Sequence, residues 1–202
     1  MGYYYDAFIS YKRGFPFGTW VQETFLPLFE PLLTNALNLP SCNVFVDTDE
    51  ILPGDAWPER LKNALAHSRS LVAIWSPSYF HSEWCKYEFS VMLERENLLG
   101  YRTDQNPLGL IIPVSVFDGE HFPIIAQRIQ AKDFRAYARV GLGFQKTEKY
   151  FEFQNELFNW INQVAQVINQ APPWNENWIS APHVINPMVN SMQPLVEQPI
   201  LE

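Results

Sequence analysis

Ser70-Leu71-Val72-Ala73-Ile74-Trp75-Ser76-Pro77, followed at once by Ser78-Tyr79-Phe80-His81-Ser82-Glu83-Trp84-Cys85-Lys86-Tyr87-Glu88, reads as an apolar strand running into a helix. A solid apolar run, rather than apolar and polar residues in alternation, marks a strand covered on both faces, as in a parallel sheet. Ser82 is a good N-cap, so the helix is predicted to start there and to continue to about Leu98. Trp84 and Glu88 are four residues apart, about 400° of helical rotation, which leaves them within roughly 40° of each other on one face. The first turn of such a helix lies at the rim of a parallel sheet, where open α/β folds bind ligands. A carboxylate beside an aromatic face at that rim suits cleavage of a bond to a cationic leaving group.

Outward from this stretch, the chain alternates strands and helices. Tyr4 to Ile9 reads as a first strand, broken by Ser10-Tyr11-Lys12-Arg13-Gly14. Thr19 to Leu37 has helical apolar spacing, with Pro27 and Pro31 expected to kink or split it. Val44-Phe45-Val46 is a short second strand. A loop, Ile51 to Ala56, leads into a helix entered through Trp57-Pro58, where proline suits a first turn because its missing N–H would have gone unpaired. Leu108 to Val116 gives a fourth strand, whose Pro113 predicts an edge or a bulge. A fifth, short strand is expected around Ala131 to Phe134, and a strongly periodic helix over Tyr150 to Ile168. The pattern predicts an α/β, flavodoxin-like three-layer domain with a five-stranded parallel sheet. It divides the chain into a domain over residues 1–170 and a Pro-rich C-terminal tail over residues 171–202. Six of the sixteen prolines fall in that tail and no Lys or Arg follows Lys149; Trp174 and Trp178 are candidates to dock its start.

The bulk composition narrows the function. With 202 residues, 47% of them hydrophobic, the chain has length and apolar content for a real core. A net charge of -8 with no basic run argues against nucleic-acid or anionic-membrane partners. Cys42 and Cys85 make no disulfide framework and point to a reducing compartment. No Cys/His spacing fits a metal site, and His67, His81, His121 and His183 show no ligand pattern. There is no signal-peptide pattern and no apolar run near the ~20 residues that span a bilayer, so the expected location is cytoplasmic. No P-loop or G-x-G-x-x-G is present, which argues against NAD as a redox cofactor.

Three segments in order resemble the TIR (Toll/interleukin receptor) domain family. Tyr5-Asp6-Ala7-Phe8-Ile9-Ser10-Tyr11 looks like its first box; Val44-Phe45-Val46-Asp47 with Ile51-Leu52-Pro53-Gly54 looks like its second box and the loop beyond. Trp84-Cys85-Lys86-Tyr87-Glu88 is similar to the Trp-Cys-x-x-Glu segment of members that cleave NAD+. The segment from Ile112-Pro113-Val114 through Phe122-Pro123 to Asp133-Phe134 looks closest to prokaryotic members, which often serve in anti-phage defence. The resemblance implies an NAD+ nucleosidase releasing nicotinamide and either ADP-ribose or a cyclic isomer, with NAD+ as substrate and no cofactor. It makes Glu88 the catalytic carboxylate, with Trp84, Tyr11, Lys12, Arg13 and Trp57 as substrate-binding residues. It also implies self-association through the 51–56 loop, which lets a neighbouring copy complete the site, and a sensor or effector protein acting in trans. Where the family's animal enzyme carries a lysine at the exit of the second strand, this chain has Glu50.

The chemistry is consistent with a single acid. Most glycosidases use two carboxylates because an oxygen leaving group must be protonated. Nicotinamide leaves a pyridinium as a neutral molecule, so one carboxylate suffices, holding ribose hydroxyls or offsetting oxocarbenium charge. Each residue also has an ordinary reading. Glu88 alone could be a helix-surface acid, Trp84 and Tyr11 packing residues, and Lys12 and Arg13 solvated charges; Cys85 reads as buried packing. Two rival functions stay open: a non-catalytic TIR adaptor acting by homotypic assembly, and a nucleoside deoxyribosyltransferase. Such adaptors commonly lack the glutamate, and Pro53-Gly54 with the Trp-Cys-Lys-Tyr-Glu segment argues against the transferase.

Overall fold

The structure, a computed structural model, describes residues 2–46, 59–120 and 122–179. Five parallel strands form one sheet in the order β2-β1-β3-β4-β5. They are β1 (Tyr5–Tyr11), β2 (Val44–Val46), β3 (Ser68–Trp75), β4 (Ile111–Ser115) and β5 (Lys132–Asp133). This is a flavodoxin-like order, in which the chain reverses direction of travel between β1 and β3 and opens a crevice at their carboxyl ends. β1 lies beside β3 with Phe8 opposite Leu71 and Tyr11 opposite Ile74, so both strands run out at the same level.

The period of two within the apolar runs builds two cores. Ala7, Ile9, Val72, Ile74, Ile112 and Val114 face one side of the sheet. They pack there on α1 (Phe17–Trp20), α2 (Leu26–Ala36) and α7 (Glu148–Asn169). Phe8, Leu71, Ala73, Trp75 and Ile111 face the other side. These meet α3 (Glu59–Ala66), α4 (Pro77–Phe80), α5 (Glu83–Leu98) and the short α6 (Ile124–Gln127). Three layers result, with the apolar faces of the helices closed against both sides of the sheet.

Elements begin and end differently from the sequence expectation in places, each for a local reason. The helix predicted over Thr19–Leu37 is interrupted by a π-helical turn, Val21–Phe25, just ahead of Pro27, which opens α2. Leu26 donates its N–H to Val21 O, five residues back, and Pro27 follows with no N–H of its own to place. β1 continues through Ser10 and Tyr11 instead of ending at Ile9. A one-turn helix, α4, stands between β3 and α5: Ser76 caps it by accepting from the Tyr79 N–H (3.3 Å), and Pro77 opens it.

Pro113 was expected to mark an edge or a bulge, but β4 is an interior strand paired with β3 and β5. Parity explains how proline fits. The Val116 N–H donates to Trp75 O of β3 (3.0 Å), whereas Ser115 O accepts from the Phe134 N–H on the β5 side (2.8 Å). Odd residues of β4 therefore turn their backbone groups toward β5, which begins only opposite Val114. Pro113 has no donor to leave unpaired on that short flank. Ile111, two residues earlier, does: its N–H donates to Glu96 Oε1 (2.7 Å), and its carbonyl accepts from Arg102 (2.8 Å). Arg102 in turn grips both oxygens of Glu96, at 2.6 and 3.0 Å. Gly109 passes over this pair so closely that a Cβ would sit 2.3 Å from an Arg102 nitrogen.

Residues 171–179 lie against the amino-terminal end of the sheet. Trp174 donates to Ala66 O (3.3 Å) and stacks on the buried His67 at 4.9 Å, with Tyr4 on the other ring contact at 4.1 Å. Tyr3 donates to Pro172 O (2.7 Å). Trp178 covers the guanidinium of Arg95 at 4.2 Å. His67, which carries no pattern in the sequence, thus has a packing role, with Nδ1 2.7 Å from Gly2 O.

Candidate functional site

The carboxyl end of β1 and the amino-terminal turns of α5 meet at the reversal point between β1 and β3. Ser82 caps α5 by accepting from the Cys85 N–H (3.5 Å), which starts the helix where the sequence predicts and sets Trp84, Cys85 and Glu88 in its first turns. On the other wall, β1 delivers Ile9 and Tyr11 and then turns through Lys12 and Arg13. That turn is held tightly: a Cβ on Gly18 would come within 2.9 Å of the Arg13 backbone, so only glycine lets the two segments pass.

Ile9, Tyr11, Lys12, Arg13, Ser82, Trp84, Cys85 and Glu88 line a cavity of about 100 Å³. Of the six site residues expected from the sequence, Glu88, Trp84, Tyr11, Lys12 and Arg13 come together here. Trp57 and the 51–56 loop lie outside the described residues. Glu88 is buried, Trp84 and Arg13 are half-buried, and Lys12 is exposed. Tyr11 Oη accepts a hydrogen bond from Gln22.

The sequence reading missed the residues behind the carboxylate. Ser10 Oγ donates to Glu88 Oε2, and Tyr79 Oη lies 2.9 Å from the same Ser10 Oγ. Ser10 and Tyr79 are almost completely buried. Burial, and next the neighbouring Cys85 and Glu88, push the Tyr79 phenol well above its ordinary range. Burial also pushes the Cys85 thiol far up, with Glu88 adding to it, so Cys85 stays protonated and offers no thiolate. One signal for Ser10 was present in the sequence. It shares its strand parity with Phe8, which packs on the α5 side, so a serine there is a polar group turned into a core and requires a partner.

The TIR-domain family profile matches residues 29–145, more than half of the chain. The chain belongs to the TIR-domain family. A protein of Brachypodium distachyon described as "Probable 2' cyclic ADP-D-ribose synthase BdTIR" is 34% identical over 142 residues. That match covers 69% of this chain and 59% of the relative, so the chain spans about three-fifths of that protein's length. Among solved structures, the TIR domain of the Toll-related receptor TRR-2 from Hydra magnipapillata aligns at 16% identity and a TM-score of 0.44, over 76% of this chain and 98% of that one. The TIR domains of the activated Roq1 resistosome align at 20% identity and a TM-score of 0.38, over 82% and 84%. No helix among the described residues is long and apolar enough to cross a membrane.

Proposed function

We propose that this TIR domain cleaves the nicotinamide–ribose bond of NAD+. The observation that carries the reading is the buried Glu88 carboxylate opening, beside Trp84, onto a rim cavity that Tyr11, Lys12 and Arg13 also line. The relative described as a cyclic ADP-ribose synthase supports the same substrate. In this reading the C–N bond breaks with its electron pair passing to the pyridinium nitrogen, so nicotinamide leaves neutral. Glu88 offsets the positive charge that grows on the ribose. Trp84 offers its face to the ring, a contact worth roughly 0.5–1.5 kcal/mol beyond area burial. Lys12 and Arg13 meet the pyrophosphate. Water, or a hydroxyl of the ADP-ribose itself, then attacks the sugar carbon and passes its proton to solvent water. The relative's name favours the second, cyclising outcome.

The cavity enclosed by the described residues, about 100 Å³, is smaller than the roughly 300–1,000 Å³ of drug-sized ligand sites, so a whole dinucleotide extends beyond it. Completion by a second copy, through the 51–56 loop, is part of the proposal, as is the resemblance to prokaryotic members in anti-phage defence. The test is nicotinamide release from NAD+ by wild type and Glu88→Ala across a range of protein concentration, with products separated by chromatography and mass. Release by wild type alone, rising more steeply than protein concentration, is the expected result. Equal release by both proteins removes Glu88 from the chemistry, and no release at any concentration favours an adaptor.

A further inference from the structure

Ser10 and Tyr79 do not line the cavity, yet they end on the carboxylate that does. Ser10 is the penultimate residue of β1, and Tyr79 belongs to α4, the short turn between β3 and α5. Three separate elements therefore converge behind Glu88, one oxygen from each: the phenol, the hydroxyl and the acid. We propose that Tyr79 and Ser10 form a directed hydrogen-bond chain, Tyr79 donating to Ser10 and Ser10 to Glu88, which fixes the Oε2 side of Glu88 and holds it as an anion for the reaction. They are positioning residues, acting on substrate only through Glu88.

The direction of the chain follows from the single proton of the Ser10 hydroxyl, which goes to Glu88 Oε2. Ser10 Oγ can then only accept at its 2.9 Å contact with Tyr79, so the phenol is the donor there. Tyr79 is fully enclosed, and the cost of a buried phenolate keeps that proton in place. A carboxylate that receives such a bond is favoured in its charged form. Among the described residues, the other titratable or charged groups at this point are Cys85 on α5 itself and Tyr11, Lys12 and Arg13 at the exit of β1. The two cations favour the anion as well. The protonated Cys85 carries no charge, so the chain and the cations act in the same direction.

This inference rests on the proposed NAD+ cleavage for its catalytic meaning, but its test does not. The carboxyl carbon of Glu88 is followed by NMR across pH in full-length wild type, Ser10→Ala, Ser10→Thr and Tyr79→Phe, with Glu88→Gln to assign the signal. Circular dichroism checks that each variant is folded. The expected result is a Glu88 midpoint raised by about one unit in Ser10→Ala, raised less in Tyr79→Phe, and back near wild type in Ser10→Thr. The acid limb of the kcat/KM profile for nicotinamide release moves upward by the same amounts, kcat falls about tenfold in Ser10→Ala, and KM stays within about twofold. A merely structural role moves melting temperature without moving these midpoints. If Ser10→Ala fails to fold, Tyr79→Phe, which keeps the ring, decides alone. Midpoints unchanged in folded variants overturn the chain even if NAD+ is cleaved. Shifted midpoints in a protein that never releases nicotinamide leave the chain standing and remove the reaction.

Discussion

The two ends of α5 both bury charge, and they do so to opposite effect. At the upper end Glu88 sits against Ser10 and opens onto a cavity. At the lower end Arg95 and Glu96 are buried just as deeply, but every partner the structure gives them belongs to the fold. Arg95 donates to the carbonyls of Ser68 (3.0 Å) and Leu65 (3.2 Å) beneath the ring of Trp178, while Glu96 holds Arg102 and the Ile111 N–H. Burial pulls the Arg95 guanidinium down to about 10, with the nearby Tyr3 opposing the shift. Depth of burial therefore does not separate a working carboxylate from a structural one. What separates them is that Glu88 lines the rim cavity, whereas Arg95 and Glu96 are not among the residues that line it.

The comparison breaks most readily at Glu96. Glu96→Ala leaves Arg102 and the Ile111 N–H without their acceptor, and the expected loss is about 3–5 kcal/mol of unfolding free energy in urea titrations. Glu88→Gln is expected to do the reverse: nicotinamide release falls on the order of 10²–10³-fold, the scale of removing one preorganised electrostatic partner, while unfolding free energy changes by less than about 1 kcal/mol. If both variants lose stability alike, the two ends of the helix do not differ as described. Arg95→Met retains bulk but strands two carbonyls, for about 1–3 kcal/mol by the same titration and no change in kcat. Trp178→Ala removes the ring that lies above the guanidinium and beside Tyr3, and about 0.5–2 kcal/mol is expected from the lost cation–π contact.

The smallest effect concerns Tyr3, whose phenol burial raises to about 12 from 10.0 against the pull of Arg95 and Arg69. Its folded value lies above the unfolded one, so its contribution to stability is complete below pH 10 and is lost as pH rises toward 12. Ultraviolet difference titration of wild type against Tyr3→Phe should show that high midpoint. In Trp178→Ala it should move back toward 10, since the ring that packs on Tyr3 is gone.

Much of this architecture is legible in residue order, and the exceptions share a cause. Runs such as Leu71 to Trp75 declare buried parallel strands because both of their faces are apolar. Ser82 declares the start of α5 because capping is local. Trp84 and Glu88 share a face by helical arithmetic alone. Pro113 misled because its fit depends on how far β5 extends, a property of residues about twenty positions away. Ser10 and Tyr79 were passed over because their contacts close over 69 and 78 residues, and no spacing rule reaches that far. Arg95 likewise reads as an ordinary helix cation until the carbonyls at the base of α3 and β3 and the ring of Trp178 are brought to it.

The way Ile111 is sealed has a consequence for the life of the folded chain among its own copies. A sheet margin with free donors and acceptors is a template on which another strand can lengthen the sheet, the first step toward aggregates. Beyond the two residues of β5, that margin of β4 offers a proline with no donor and an isoleucine whose N–H and C=O are already taken by an acid and a guanidinium. An intruding strand would have to displace an ion pair between the half-buried Arg102 and the buried Glu96 before making its first bond, so this flank is guarded against sheet extension.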